Sequence, residues 1–248
     1  MSSWADLDAE LVRWRAAGKT PTFWWRDDDA VTDSAALQRL LALRAALGVP
    51  LALAVIPAEA DAALAARVAD HTAVLQHGYA HRNHASESGP KSELGADRTL
   101  DAIALDLSRG WDRLRSLFGG RPLPVMVPPW NRIAPAVKAR LPQWGYRGLS
   151  TFKPRGGGTP LIEVNSHVDI VDWGGARDFV GVERALDDAV AHLMLRRTGG
   201  CDGAEPTGLL THHLAHDDSC WEFVRDFVSR TRRHVGARWL DARDIFAA

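Results

Sequence analysis

The sequence predicts one α/β domain, a mainly parallel sheet with helices outside it, wound as a barrel or as a doubly wound sheet. Three observations carry this. Short apolar runs recur along the 248 residues and alternate with longer segments of helical spacing. Five of those runs end directly in polar or aromatic clusters, as strands do where a parallel sheet gathers its C-terminal ends on one face. No internal repeat or linker divides the chain, so residues 1–248 are read as a single domain.

Taken in order, the first strand is Thr22–Trp25, which leads into Arg26-Asp27-Asp28-Asp29. Ser34–Leu47 then has helical spacing, with Leu37, Leu40, Leu41 and Leu47 on one side. The strands Pro50–Ile56 and Ala73–Gln76 follow, the second ending in His77-Gly78-Tyr79-Ala80-His81. Asp97–Phe118 is helical, with Leu100, Ile103, Leu107, Trp111 and Leu114 forming its apolar stripe. Pro124–Val127 runs into Pro128-Pro129-Trp130, and Leu161–Val164 is a further strand. Val168–Val171 ends at Asp172-Trp173, and Gly208–Leu210 ends at Thr211-His212-His213. Val182–Leu195 and Cys220–His234 are helical, and Arg238–Leu240 is a last short strand. Residues 85–96, 153–160 (with Gly156-Gly157-Gly158) and 198–206 are loops within the domain.

Composition narrows the function. Lys and Arg number 30 against 31 Asp and Glu, for a net charge of −1, which argues against nucleic acid or an anionic membrane as the main partner. Basic residues near the end (Arg225, Arg230, Arg232, Arg233, Arg238) are interleaved with Glu222, Asp226, Asp241 and Asp244, the pattern of a solvated face. Cys201 and Cys220 make neither a metal spacing nor a disulfide framework. The longest apolar stretch, Leu51–Ile56, is far short of a membrane span. Acids at Asp6, Asp8 and Glu10 replace the basic start of a secretory signal, so the expected address is the cytoplasm.

The clusters suggest metal chemistry, each against a plainer alternative. His77 and His81, four apart, can turn the same way toward a cation, or simply cap a helix. The three aspartates can cap the helix that follows. Two imidazoles and one carboxylate, however, make a facial metal site with open positions, and a second carboxylate beside it can serve as general base. His212 can act as general acid, or be an interior histidine or a further ligand. Pro128-Pro129-Trp130 is a rigid turn that can hold an amide toward an oxyanion, or just pack an indole. Of the ten tryptophans, most belong in the core, although an aromatic-walled sugar groove would use some.

Asp27-Asp28, His77…His81, Pro128-Pro129-Trp130, Asp169-Ile170-Val171-Asp172-Trp173 and Leu210-Thr211-His212 stand in the order found in the polysaccharide deacetylases, carbohydrate esterases with the nodulation-factor deacetylase homology domain. The chain resembles that family from Arg26 to His212. The resemblance implies a distorted (β/α) barrel of about seven strands and a divalent metal, usually zinc, held by Asp28, His77 and His81. It implies Asp27 as base, His212 as acid and the Trp130 amide as oxyanion donor, with Pro129, Asp172 and Trp173 along the groove. The expected activity is removal of N-acetyl groups from an amino-sugar glycan or precursor. The alternatives are hydrolysis of a small ureide- or imide-type amide, or a non-catalytic glycan-binding relic. Three departures stand out: Val127 replaces the family's arginine, leaving Arg26 as a substitute charge; the third acid, Asp29, permits a shift that makes Asp28 the base and Asp29 the ligand; and no leader is evident. His84 and His213 are spare candidates for ligand and acid.

Overall fold

The computed structural model describes every residue except 69–71, 88, 157 and 248, so Ser88 and Gly157 of the expected loops lie outside the described residues. Helix α1 (Trp4–Ala16) opens the chain, with the Ser3 hydroxyl and the Asp6 carboxylate capping each other's backbone. It leads to strand β1 (Thr22–Ala30), which carries all three aspartates inside the strand. They do not cap the helix that follows: α2 (Ala35–Leu47) takes Ser34 as its N-cap and stops at Gly48, which is left-handed.

Strands β2 (Ala52–Val55) and β3 (Ala73–His77) flank the short helix α3 (Ala62–Arg67). Helix α4 (Leu100–Phe118) buries Ile103, Leu107, Leu114 and Phe118 along one stripe before β4 (Pro122–Val127). Helix α5 (Pro135–Arg140) precedes three two-residue strands, β5 (Gly148–Leu149), β6 (Ile162–Glu163) and β7 (Val168–Asp169). Helix α6 (Val182–Thr198), strand β8 (Thr207–Thr211), helix α7 (Asp218–Arg233), strand β9 (Arg238–Trp239) and helix α8 (Ala242–Ile245) complete the chain.

Every strand pairing is parallel, in the order β6-β5-β4-β3-β2-β1-β8-β7, with β9 beside the start of β1. The sheet curls into a half-barrel, the barrel-like α/β fold the sequence implied. Helices α1, α3, α5 and α8 and strand β5 are not among the elements the pattern predicts, and α4 starts three residues after the expected Asp97; β5 is only Gly148–Leu149, too short to leave a periodicity.

Alternation along β1 decides which side chains reach the inside of the curl. Phe23 and Trp25 join the large core under α1, α2, α6 and α7, while Trp24 joins the inner cluster with Ala52, Ala54, Ala73, Leu75 and Val127. Three of those inner positions on β2 and β3, Ala52, Ala54 and Ala73, are alanines, which leaves room for the Trp24 indole. Full burial of such a ring contributes on the order of 2–3 kcal/mol. Arg26 and Asp28 continue the inward face of Trp24, and Asp27 continues the outward face of Trp25.

Candidate active site

The C-terminal ends of β1, β3, β4 and β8 surround a cavity of about 860 Å³ lined by Asp28, Asp29, His77, His81, Trp130, Asn131, Asp169, Trp173 and His212, among others. Of the residues expected from the sequence, Asp28, His77, His81, Trp130, Trp173 and His212 meet there. Arg26 lies directly behind the wall, bonded to Asp28. Pro129 is buried beneath Gly78. Asp172 does not line the cavity; its carboxylate accepts the Gly174 N–H in the following turn, and Asp169 of the same motif takes the place beside the site.

The aspartates separate by one place from the first assignment. Asp27 faces outward and is fully buried. Its Oδ2 accepts from the Thr211 hydroxyl at 2.7 Å and from the His213 N–H at 3.1 Å, and its Oδ1 pairs with His213 Nδ1 at 2.5 Å. Those bonds occupy both oxygens, so Asp27 is placed to hold β8 and not to meet a substrate. Burial opposes charge on His213, but Asp27 outweighs it and raises the imidazole's pKa.

Asp28 faces the cavity in the fork of Arg26, whose Nε donates to Oδ1 at 2.9 Å and whose Nη2 donates to Oδ2 at 3.0 Å. The guanidinium is itself held by Ser150 Oγ at 2.6 Å, the Thr151 carbonyl at 3.2 Å and Asn131 Oδ1 at 2.7 Å. Arg26 therefore supplies the positive charge that Val127, a wholly buried core residue, cannot.

Asp29 is the carboxylate that reaches both imidazoles, with Oδ1 at 3.1 Å from His77 Nε2 and 3.4 Å from His81 Nε2. Plain alternation would point it outward with Asp27. The ladder with β2 shifts register between Asp27 and Ala30, and Asp29 has φ 72°, so the irregularity turns its side chain inward.

These three groups fit a divalent cation. Asp29 Oδ1 is buried without a hydrogen-bond partner. His77 Nδ1 donates to the Val127 carbonyl at 2.9 Å, which leaves the Nε2 lone pair of the neutral ring facing Asp29. Two lone pairs aimed at one another are unfavourable unless a cation or proton lies between them. Burial would raise Asp29's pKa, but His77 foremost, then His212 and His81, hold it below the usual carboxylate range. Asp28 and Asp29 raise His77 against the effect of burial, whereas burial and His77 together lower His81.

A second trio within reach of one another, His167, His192 and Glu205, has different chemistry. His167 Nδ1 accepts the Gly208 N–H at 3.0 Å, so in the neutral ring the proton is on Nε2, the atom nearer Glu205. The two rings stack at 3.4 Å and 12°, so their in-plane lone pairs run parallel and do not converge on an ion.

Across the cavity stands His212, whose Nε2 lies 4.0 Å from Asp28 Oδ2 and whose ring meets the Trp173 indole edge-on at 4.6 Å. Its backbone N–H donates to His216 Nε2 at 3.3 Å; burial lowers the His216 pKa to about 4, which keeps that acceptor neutral. Asp169 accepts from Trp173 Nε1 at 2.9 Å, and burial raises its pKa. Trp130 adopts φ 56°, ψ 18°, and its N–H has no acceptor among the described residues. Two further groups were not singled out in the sequence. Asn131 holds Arg26, and buried Glu93 accepts the N–H groups of Tyr79 at 3.0 Å and Ala80 at 2.8 Å, fixing the loop between the two histidines. Glu93 stands in a segment that reads only as loop, and nothing there signals its partners.

No protein-family model matches the chain, and no curated protein matches it in sequence. Solved structures do. A Mycobacterium smegmatis protein described as a polysaccharide deacetylase superposes with a TM-score of 0.68 at 18% identity, over 93% of this chain and 90% of that one. A peptidoglycan N-acetylglucosamine deacetylase superposes with a TM-score of 0.59 at 16% identity, over 92% and 88% of the two chains. A family 4 acetyl xylan esterase from Clostridium thermocellum, solved with a cobalt ion, gives 0.55 at 13% identity, over 91% and 90%. The chain thus has the fold of the polysaccharide deacetylases and family 4 carbohydrate esterases.

Proposed function

We propose that this chain is a metal-dependent hydrolase that removes N-acetyl groups from an amino-sugar glycan or glycan precursor. The observation that carries the reading is the facing arrangement of an Arg26-held Asp28, the Asp29–His77–His81 trio and His212 around one cavity. The fold neighbours named as deacetylases, and the esterase solved with cobalt, support it.

Asp29, His77 and His81 would hold the metal, and zinc is the default among cations that accept two imidazoles and a carboxylate. When bound, a divalent ion supplies Lewis-acid polarisation of an acyl carbonyl and makes water more acidic. Asp28, fixed by Arg26, takes the proton of the attacking water as its oxygen bonds to the acetyl carbon. The free Trp130 N–H stabilises charge gathering on the carbonyl oxygen. His212 Nε2 gives a proton to the sugar nitrogen as the C–N bond breaks, and acetate and a free amine leave. Trp173 and Trp130 give the groove apolar walls for sugar rings. Val127 was the ground for a non-catalytic relic, and the Arg26 fork removes that ground. No helix among the described residues is long and apolar enough to cross a membrane.

The test is acetate release from N-acetylglucosamine oligomers with zinc or cobalt supplied, together with metal analysis of two variants. Asp28→Asn should retain metal and lose roughly 10²–10⁴-fold in kcat, the usual worth of a general base. Asp29→Asn should lose the metal itself. Metal loss in Asp28→Asn with retention in Asp29→Asn would return the ligand to position 28.

A further inference from the structure

The net charge of −1 is not spread evenly: four cations, Lys91, Arg132, Lys153 and Arg177, line the same cavity as Asp28 and His212. The cavity's acids are already engaged. Asp28 is held by Arg26, Asp29 faces the imidazoles, and Asp169 accepts from Trp173 and from the Val171 N–H. None of the four cations has a carboxylate within 4 Å among the described residues, although Arg155 and Lys138 nearby are each paired. Arg132 spends one N–H on the Lys91 carbonyl, which sets those two side by side.

Two of the four occupy costly backbone. Lys153 has φ 77° and Arg177 φ 60°, a region where glycine would be cheaper. Neither is left there by looseness. The Lys153 N–H donates to the Ser166 carbonyl at 2.8 Å and its own carbonyl accepts from Asn165 Nδ2 at 2.9 Å, while the Arg177 N–H donates to the Asp172 carbonyl at 3.1 Å. The chain thus pins two long cations in left-handed backbone at the mouth of the site.

Resting on the deacetylase reading, we propose that this rim is an anion subsite and that the substrate carries a fixed negative charge, a phosphate ester or a carboxylate, beside the N-acetylated sugar. A neutral oligosaccharide would leave the four cations without an ion pair among the described residues, Lys153 having only the more distant field of Asp188, over a groove whose floor already has its own counter-charges. An anionic one pairs with them, and the low-dielectric walls strengthen its attraction at a distance.

The test compares substrates of matched size: N-acetylglucosamine against N-acetylglucosamine 1-phosphate, and a neutral chitin disaccharide against an N-acetylglucosamine–uronate disaccharide. Exposed ion pairs are individually small, so the charged member of a pair should gain about tenfold in kcat/KM from several acting together. That gain should shrink between 50 and 500 mM NaCl, as screening requires, and should fall toward unity in Lys153→Gln/Arg177→Gln. A gain confined to one pair identifies the charge as phosphate or as carboxylate. Equal or better use of the neutral members overturns the proposal, as does a gain that survives the double variant. If no substrate releases acetate, the deacetylase reading fails while calorimetry still decides the rim. Tighter binding of the phosphosugar than of the neutral sugar, abolished in the double variant, supports the subsite; equal binding refutes it.

Discussion

Replacing Arg26 by Met tests whether one buried guanidinium organises the site. The side chain is fully buried and makes five hydrogen bonds: two to Asp28 and one each to Ser150, Thr151 and Asn131. Methionine keeps much of the apolar stem but strands the Asp28 carboxylate, which is itself only 2% exposed. Removing one partner of a buried pair costs about 3–5 kcal/mol, because the other charge is left without compensation. For a chain of this size each kcal/mol moves Tm by roughly 2–4 °C, so a fall of about 6–20 °C is expected by calorimetry. The freed carboxylate is also no longer fixed toward the cavity, so kcat should fall together with stability. Arg26→Met/Asp28→Asn should lose much less stability than the two single losses added together, since a neutral amide needs no counter-charge. A variant that loses under about 1 kcal/mol and keeps its kcat would show that Arg26 is not the partner that matters.

Other perturbations reach different parts of the structure. A Cβ at Gly78, which has φ 55°, would run into Glu93 Oε2 and lie 2.7 Å from the Pro129 ring, so Gly78→Ala should cost about 1–2 kcal/mol for the backbone alone and weaken cobalt binding; a variant of unchanged cobalt affinity would uncouple Glu93 from the histidine loop. Burial first, then His167 and Arg196, depress His192 to about 2, against an ordinary value of 6.5. The unfolded chain therefore takes up that proton first: stability is whole above pH 6.5 and is lost by about 1.4 kcal/mol for each pH unit below it. His192→Gln should flatten that part of a urea-midpoint curve, and an unaltered slope would assign the acid sensitivity elsewhere. His213 has the opposite sign, since its pKa is raised beside Asp27. Its contribution is whole below pH 6.5 and fades as pH climbs through the raised value, so Asp27→Asn should lower stability below pH 6.5 more than above it; a pH-independent loss would refute the pair.

Much of this was legible in the sequence for a physical reason. Strand ends in a parallel sheet share a face, so clusters after Trp25, Gln76, Val127 and Leu210 had to meet if the α/β alternation was real. The apolar stripes placed the longer helices but not all of their ends: the segment Asp97–Phe118 becomes helical only at Leu100, where Thr99 caps it, and the helix expected over Val182–Leu195 runs on to Thr198. Short elements without periodicity, such as β5 and α5, were not legible, because two to six residues cannot show a repeat. Nor was Glu93, whose partners are backbone N–H groups that carry no side-chain signature.

The aspartate run shows where the line falls between the two. Strand alternation alone already sets Arg26 and Asp28 on the face of Trp24 and sets Asp27 with Trp25 on the other, so an arginine two places before an acid was a readable sign that Asp28 and not Asp27 faces the cavity. Asp29 needed one more fact. It should turn outward with Asp27, and it reaches the histidines only because the β1–β2 ladder slips between Asp27 and Ala30 and the residue adopts φ 72°. Aspartate tolerates that backbone better than most side chains, but no local pattern announces the slip. The bulge lets adjacent carboxylates face one cavity from one strand, one fixed by a guanidinium and the other directed at two imidazoles. A strictly regular strand would have had to set them two residues apart, with their side chains farther from one another than Asp28 and Asp29 are by succession in the chain.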